Sequence, residues 1–255
     1  MSKSTSKNDT LPVPASTGQS LQRTKSLVKL ANSILGGDRS LTVHNAWLEE
    51  LLAWANENDI PEEIFPRDAD KILELERLYL TFRKLSYLPD SIGNLTNLTG
   101  LALYRNNLSM LPDSIGNLTN LEYLRLGGNK LSALPDSIGN LTNLTRLILE
   151  DNNLSTLPYF ICNMSNLDAL DLGSNDLTML PDSIRNLIGL KRLGLGRNRL
   201  STLPDAVWGL TNLEYLNLGG NKLLKLTDSI GNLTNLKNLF CKGTTCRRCR
   251  ISFGT

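Results

Sequence analysis

The sequence predicts an α/β solenoid, with a curved parallel β-sheet on the concave face and short helical or irregular segments on the convex side. A 23-residue pattern recurs without insertion or deletion in seven copies that begin at Leu75, Leu98, Leu121, Leu144, Leu167, Leu190 and Leu213. Each copy carries seven apolar residues at fixed positions, too many for one copy to bury alone. Neighbouring copies must therefore stack. We number these copies repeats 1 to 7 and their residues positions 1 to 23.

Each element of a repeat follows from its apolar spacing. In repeat 3 the core positions are Leu121, Leu124, Leu126, Leu131, Leu134, Ile138 and Leu141. Leu124 and Leu126 are two residues apart, which predicts a short strand with both side chains inward. Pro135 follows where no backbone donor is needed. Asp136 or Ser137 is then a candidate N-cap for a short helical turn.

Asparagine stands at position 9 of six repeats, between inward leucines. These residues are Asn106, Asn129, Asn152, Asn175, Asn198 and Asn221. A buried amide is tolerated only when it is hydrogen-bonded, so we expect a structural ladder along the stack. Repeat 1 carries Arg83 at this position, and an incomplete eighth copy, which begins at Leu236 and loses the pattern after Leu239, carries Thr244.

The pattern L-x-x-L-x-L-x-x-N-x-L-x-x-L-P-x-x-I-x-x-L resembles the leucine-rich-repeat family. The 23-residue length and the LPxxI string resemble the intracellular class found in Ras-group-related and bacterial repeat proteins. The resemblance covers about 160 residues and implies a leucine-rich-repeat solenoid that binds protein partners. It also implies that the asparagine ladder bonds backbone groups of neighbouring coils.

An N-terminal α-helical cap is expected before repeat 1. The string FPRDADKILEL (65–75) aligns with the second half of a repeat, with Phe65 at the Leu position and Ile72 at a later one. Before it, HNAWLEELLAWANEN places Trp47, Leu48, Leu51, Leu52, Trp54 and Ala55 at helical spacing. The two tryptophans suggest either a ligand pocket or a helix packed on the first coil, and we favour the packed helix.

The predicted organisation has four parts. Residues 1–20 form a disordered tail, 21–74 the helical cap with its degenerate half repeat, 75–235 the seven repeats, and 236–255 a partial repeat with a basic, cysteine-containing tail. Residues 21–35 form a basic amphipathic helix candidate, which either docks on the cap or touches an anionic membrane. The first reading is favoured, and a membrane-associated adaptor is the alternative function.

The chain has one histidine, and its cysteines do not complete a metal-binding pattern. His44 is the one histidine, and it has no carboxylate or cysteine at a diagnostic spacing. Cys241, Cys246 and Cys249 match part of an iron–sulfur spacing but lack a fourth ligand downstream. We therefore expect no enzymatic activity, no cofactor and no metal, and we expect reduced cysteines.

Candidate binding residues lie at the outward strand positions, because the leucines are committed to the core. Position 3 contributes Arg77, Tyr123, Arg146 and Arg192, and position 5 contributes Tyr79, Arg125 and Asp171. Position 7 contributes Tyr104 and Glu150, and position 8 contributes Phe82, Arg105 and Arg197. Aromatics make up 5% of the chain, yet four of them gather on this face with arginines. Tyrosine and arginine dominate interface energetics, which favours a binding surface. The alternative is that these residues only fill solvated positions, with Phe82 covering the first coil.

The sequence thus predicts a protein-interaction scaffold that grips a protein or peptide with acidic and aromatic elements through repeats 1 to 4. A role in signalling or as a bacterial effector would fit. We expect a monomer that does not bind nucleic acid. The polar N-terminus has no apolar run of signal-peptide type, which favours the cytoplasm, or export into a host cell by a non-classical route as the alternative.

Overall fold

The computed structural model describes residues 39–243, with side chains described from residue 46 onward. The disordered tail predicted for 1–20 and the amphipathic helix predicted for 21–35 lie outside these residues. Cys246, Cys249 and Thr244 also lie outside them. Within the described part, the chain folds as the predicted solenoid.

Eight short strands form one parallel sheet in sequence order. They are β1 (Arg77–Tyr79), β2 (Gly100–Ala102), β3 (Tyr123–Arg125), β4 (Arg146–Ile148), β5 (Ala169–Asp171), β6 (Arg192–Gly194), β7 (Tyr215–Asn217) and β8 (Asn238–Phe240). Each residue pairs with its equivalent in the next repeat, as Leu124 does with Leu147. The unbroken 23-residue period therefore sets the register of the whole sheet.

The seven complete repeats supply β1 to β7. The incomplete eighth copy still forms β8, which pairs with β7 through Leu216 and Leu239. A strand needs only positions 3 to 5 of the repeat. In the eighth copy these are Asn238–Phe240, so β8 forms although the apolar pattern is lost after Leu239.

The inward leucines form one continuous core along the stack. Leu124 and Leu126 are fully buried, as are Ile138 and Leu141 on the opposite side of the same coil. Each coil thus closes around its own apolar side chains and shares them with the coils on either side.

On the convex side each repeat forms one short 3₁₀ helix. These helices are Asp90–Asn94, Asp113–Asn117, Asp136–Asn140, Tyr159–Asn163, Asp182–Asn186, Asp205–Gly209 and Asp228–Asn232. The residue before the third is Pro135, at the N-cap position, and no side chain caps the helix. The expected cap by Asp136 or Ser137 was therefore wrong, because Asp136 is already the first helical residue.

The position-9 asparagines form the predicted ladder. Asn152 Nδ2 donates to the carbonyl of Leu126 at 3.0 Å and to that of Leu149 at 3.1 Å. Its Oδ1 accepts from the backbone N–H of Leu131 at 3.0 Å. Each amide thereby joins two coils, and Asn106 makes the equivalent bonds to repeat 1, where Arg83 stands.

A second asparagine ladder runs along position 23, and we did not predict it. Asn120 Nδ2 donates to the carbonyl of Thr96 at 2.9 Å, and Asn143 donates to that of Thr119 at 2.9 Å. These asparagines are exposed, unlike those of position 9. The ladder is interrupted in repeat 5, where Gly189 takes the asparagine's place.

The N-terminal cap is helical, as predicted. Helix α1 (Arg39–Glu57) starts earlier than the apolar spacing indicated, and a short helix α2 (Ala69–Leu73) follows. Trp54 is 1% exposed, and its Nε1 donates to the carbonyl of Tyr87 at 3.3 Å. Phe65 and Ile72 are fully buried in the same core. The tryptophan thus joins the cap to repeat 1 rather than lining a pocket.

No helix among residues 39–243 has the length and apolar content that crossing a bilayer requires.

Candidate interaction surface on the concave face

All twelve predicted binding residues lie on the strands or directly after them. Seven belong to strands: Arg77 and Tyr79 to β1, Tyr123 and Arg125 to β3, Arg146 to β4, Asp171 to β5 and Arg192 to β6. The other five, Phe82, Tyr104, Arg105, Glu150 and Arg197, follow a strand by two or three residues. None of the twelve is buried, so their side chains are accessible from the concave side.

Two arginines and two aromatic rings of repeats 1 to 3 form one connected cluster. The Phe82 and Tyr104 rings meet edge to face, with centroids 5.6 Å apart. The Arg105 guanidinium carbon lies 5.6 Å from the Phe82 centroid and 5.4 Å from that of Tyr104. Arg125 also lies over the Tyr104 ring, at 4.1 Å from its centroid. We call Phe82, Tyr104, Arg105 and Arg125 the aromatic–arginine cluster.

The cluster does not serve to cover the first coil, which was the alternative for Phe82. The Phe82 side chain is 62% exposed, so it buries little apolar surface against the core. Arg105 Nε instead donates to the Tyr104 hydroxyl at 3.0 Å. Stacking and this hydrogen bond restrict the rotamers of the arginine, so less side-chain entropy is left to lose on binding.

Acidic residues adjoin the cluster at repeats 4 and 5. Glu150 Oε1 lies 3.5 Å from Arg125 Nη2 in an ion pair that joins the two groups. Burial is the largest cause that raises the pKa of the Glu150 carboxyl above its usual value. The Asp171 carboxylate also raises this pKa, while a backbone hydrogen bond and Arg125 oppose the shift. Asp171 itself is held in place because its Oδ1 accepts from Gly173 N at 2.9 Å.

Two consecutive glycines separate the basic group from the acidic group. A Cβ on Gly127 would lie 2.5 Å from the Glu150 carboxylate, and a Cβ on Gly128 would lie 2.7 Å from Arg105 Cγ. Arg105 and Glu150 therefore lean over repeat 3 from opposite sides, into space that only glycine leaves open. In the sequence, Gly127 and Gly128 are recognisable only as the two residues before the ladder asparagine Asn129.

Position 8 has a left-handed backbone in every repeat. The residues are Phe82, Arg105, Gly128, Asp151, Ser174, Arg197, Gly220 and, in the eighth copy, Gly243, with φ between 52° and 79°. Glycine adopts this conformation without strain, whereas other residues pay of order 1–2 kcal/mol. Three glycines show that this position accepts glycine. Phe82, Arg105 and Arg197 nevertheless place large side chains there.

A second, smaller cluster lies toward the far end of the sheet. Arg192 lies 5.0 Å from the Tyr215 centroid, and the Tyr215 and Phe240 rings are 5.4 Å apart. Tyr215 occupies an outward strand position, but it was not among the twelve predicted binding residues. Phe240 was not predicted either, because the repeat pattern ends at Leu239.

Two shallow grooves follow the concave face. One, of about 570 Å³, is lined by charged residues of both signs, including Arg125, Arg146, Glu150, Asp171 and Arg192. The other, of about 530 Å³, has a floor of glycines at repeats 5 to 7 and is bordered by Arg197, Phe240 and Lys242. Open grooves with alternating charge suit an extended peptide or a protein loop better than an enclosed small molecule.

No group of three or more His, Cys, Asp or Glu side chains in the described part of the chain could hold a metal ion. The arrangement offers stacked arginines, carboxylates and exposed aromatic rings, which can form ion pairs and stacking contacts.

Comparison with known proteins agrees with this architecture. A profile described as a leucine-rich repeat region matches residues 62–151 and 115–193, which together exceed half of the chain. A second profile, described as a leucine rich repeat, matches residues 165–223. A search of curated proteins gave no match.

Solved structures with this fold include two bacterial proteins. A leucine-rich-repeat protein of Leptospira interrogans is 38% identical, with a TM-score of 0.66 over 70% of this chain. The functional domain of InlJ from Listeria monocytogenes, which includes a cysteine ladder, is 25% identical, with a TM-score of 0.60 over 69% of this chain. The matches span 46% and 36% of those two chains, so this chain corresponds to less than half of each.

Proposed function

Because this chain belongs to the leucine-rich-repeat family, whose members generally mediate protein–protein interaction, we propose that it is a binding scaffold that grips a protein through its concave face. The observation that supports this most is the aromatic–arginine cluster. Its four residues are accessible, stacked on one another, and placed on adjacent repeats. Interfaces are enriched in such residues, and preorganised side chains lose less entropy on binding.

Backbone strain adds independent support. Phe82 and Arg105 hold the left-handed conformation at φ 59° and 53°, where Gly128 of the next repeat shows that glycine would serve. Strained backbone of this kind clusters at active sites and ligand-binding sites. The strained residues face the concave side, and two of them belong to the cluster.

The partner surface that fits this cluster is acidic and aromatic. Arg105 and Arg125 present guanidinium groups suited to carboxylates, and the exposed Phe82 ring offers apolar area. The proposed role is one of signalling or effector type, in which the chain positions its partner rather than transforming it.

The test is capture of a partner by a charge-reversed protein. In a variant with Arg105→Glu, Arg125→Glu and Tyr104→Ala, we expect the capture of specific partners to be abolished while the circular dichroism spectrum stays unchanged. A matched control carries Lys71→Glu, Arg185→Glu and Tyr159→Ala, which make the same change in charge and aromatic content on exposed residues outside the sheet. Equal capture by the first variant and the wild type would remove the concave face from consideration.

A further inference from the structure

We infer that the concave face takes an extended segment of its partner that carries an acidic residue and a basic residue about three positions apart. The acidic residue lies over Arg105, and the basic residue lies over Asp151, on either side of the Arg125–Glu150 ion pair. This inference rests on the proposed function and adds the chemistry and spacing of the bound segment. It rests on charge complementarity along positions 7 and 8 of the repeats.

Along positions 7 and 8, the charge changes from positive in repeat 2 to negative in repeat 4. Tyr104 and Arg105 occupy positions 7 and 8 of repeat 2, Gly127 and Gly128 those of repeat 3, and Glu150 and Asp151 those of repeat 4. Arg125, from position 5 of repeat 3, reaches over Tyr104 and joins the basic side. A segment of a single charge sign would be repelled by one half of this row, whereas a segment with both signs complements it.

The repeat geometry sets the spacing. The backbones of the exposed Arg105 and Asp151, in repeats 2 and 4, are two strand intervals apart, which is about 10 Å at roughly 4.8 Å per parallel strand. Arg125 and Glu150 lie between them and are paired with each other at 3.5 Å. An extended chain in the polyproline II conformation rises about 3.1 Å per residue with three residues per turn, so residues i and i+3 face the same way about 9 Å apart. The acidic and basic side chains of the partner would therefore point to the sheet together.

The space over Gly127 and Gly128 is filled by the two charged groups themselves. Gly127 and Gly128 carry no side chains, and Arg105 and Glu150 lean over them from either side. Buried Arg125 Nε and Glu150 Oε2 have no hydrogen-bond partner among the described residues. Because both atoms are shielded from solvent, a bound segment contacts the exposed Arg105 and Asp151 instead of them.

The test uses random twelve-residue peptides displayed on phage and selected on the immobilised full chain. We expect enriched peptides to carry an acidic and a basic residue separated by two to four positions. A variant with Glu150→Lys and Asp151→Lys should bind those peptides at least about tenfold more weakly, and should select acidic peptides without the basic residue. The matched control, Asp182→Lys with Asp205→Lys, makes the same charge change on the convex 3₁₀ helices and should retain wild-type binding.

The outcomes separate the two proposals. Enriched peptides that lack the basic residue, or that bind the Glu150→Lys, Asp151→Lys variant equally well, would overturn the charge-pair inference and leave concave binding intact. Peptides that bind the Tyr104→Ala, Arg105→Glu, Arg125→Glu variant as tightly as the wild type would count against both. The absence of any enrichment over the bare support would also count against both.

Discussion

The guanidinium carbon of Arg125 lies 4.1 Å from the centroid of the Tyr104 ring, which belongs to the preceding repeat. Arg125 also pairs with Glu150 of the following repeat. One side chain thus links three consecutive coils across the concave face and fixes the place where positive charge meets negative charge.

The stacking should appear as a measurable coupling. In a double-mutant cycle of Arg125→Ala and Tyr104→Ala, followed by urea unfolding, we expect a coupling energy of about 0.5–1 kcal/mol, because the pair is partly exposed. Arg146 and Tyr104 supply a control cycle, for which the two effects should add. Additive effects in the Arg125 cycle would show that the stacked geometry contributes nothing.

The partly buried carboxyl of Glu150 predicts a pH-dependent stability difference. Its pKa is raised in the folded protein, chiefly by burial and then by Asp171, so the folded state binds this proton more tightly than the unfolded state. The resulting penalty is present in full above the folded-state pKa and disappears as the pH falls below the unfolded value near 4.5. Glu150→Gln should therefore be more stable than wild type at pH 7, and the difference should vanish near pH 3.5.

Urea midpoints of both proteins at the two pH values check this prediction. Asp182→Gln serves as the control, since Asp182 is exposed on a convex 3₁₀ helix. If Glu150→Gln is less stable than wild type at pH 7, the ion pair with Arg125 outweighs the cost of burying the carboxylate, and the prediction is wrong.

Relief of strain at position 8 should stabilise the fold. Arg197 has φ 54°, and its side chain lies across Gly220. We expect Arg197→Gly to raise the free energy of unfolding by about 0.5–1 kcal/mol, because glycine adopts this backbone conformation freely. Lys130 is exposed and does not have a left-handed backbone, so Lys130→Gly should lower stability by a similar amount. A loss of stability in both variants would contradict the strain argument.

The two asparagine ladders should differ in strength. Asn152→Ala removes hydrogen bonds to Leu126, Leu149 and Leu131 and leaves buried backbone groups unpaired, so we expect a loss of about 2–4 kcal/mol. Asn143→Ala removes one exposed bond, to Thr119, and should cost no more than about 1 kcal/mol. Chemical unfolding of both variants tests this, and equal losses would mean that burial does not decide the contribution.

The sequence predicted the repeats well because the core of a solenoid is set by local spacing. Leu124, Leu126 and the position-9 asparagines each have a role that one copy reveals and the other copies repeat. The cap helix was also predictable, since Trp54 stands on an apolar helical face.

Other features depend on which side chains meet across repeats, and the repeat template does not contain that information. The sequence does not show that Gly127 leaves room for Glu150, whose carboxylate lies over it in the structure. The left-handed backbone of Phe82 and Arg105 follows from the turn after each strand, which the apolar pattern does not describe. Phe240 was not predicted because β8 forms where the pattern already ends.

Site-specific photo-crosslinking tests most directly whether the concave face contacts the partner. With p-benzoylphenylalanine placed at Tyr123, in β3 beside the aromatic–arginine cluster, we expect crosslinks to the partner that the wild-type protein captures. The same probe at Tyr159, which is 67% exposed on the convex side, should give none. Crosslinks from Tyr159 with none from Tyr123 would contradict binding through the concave face.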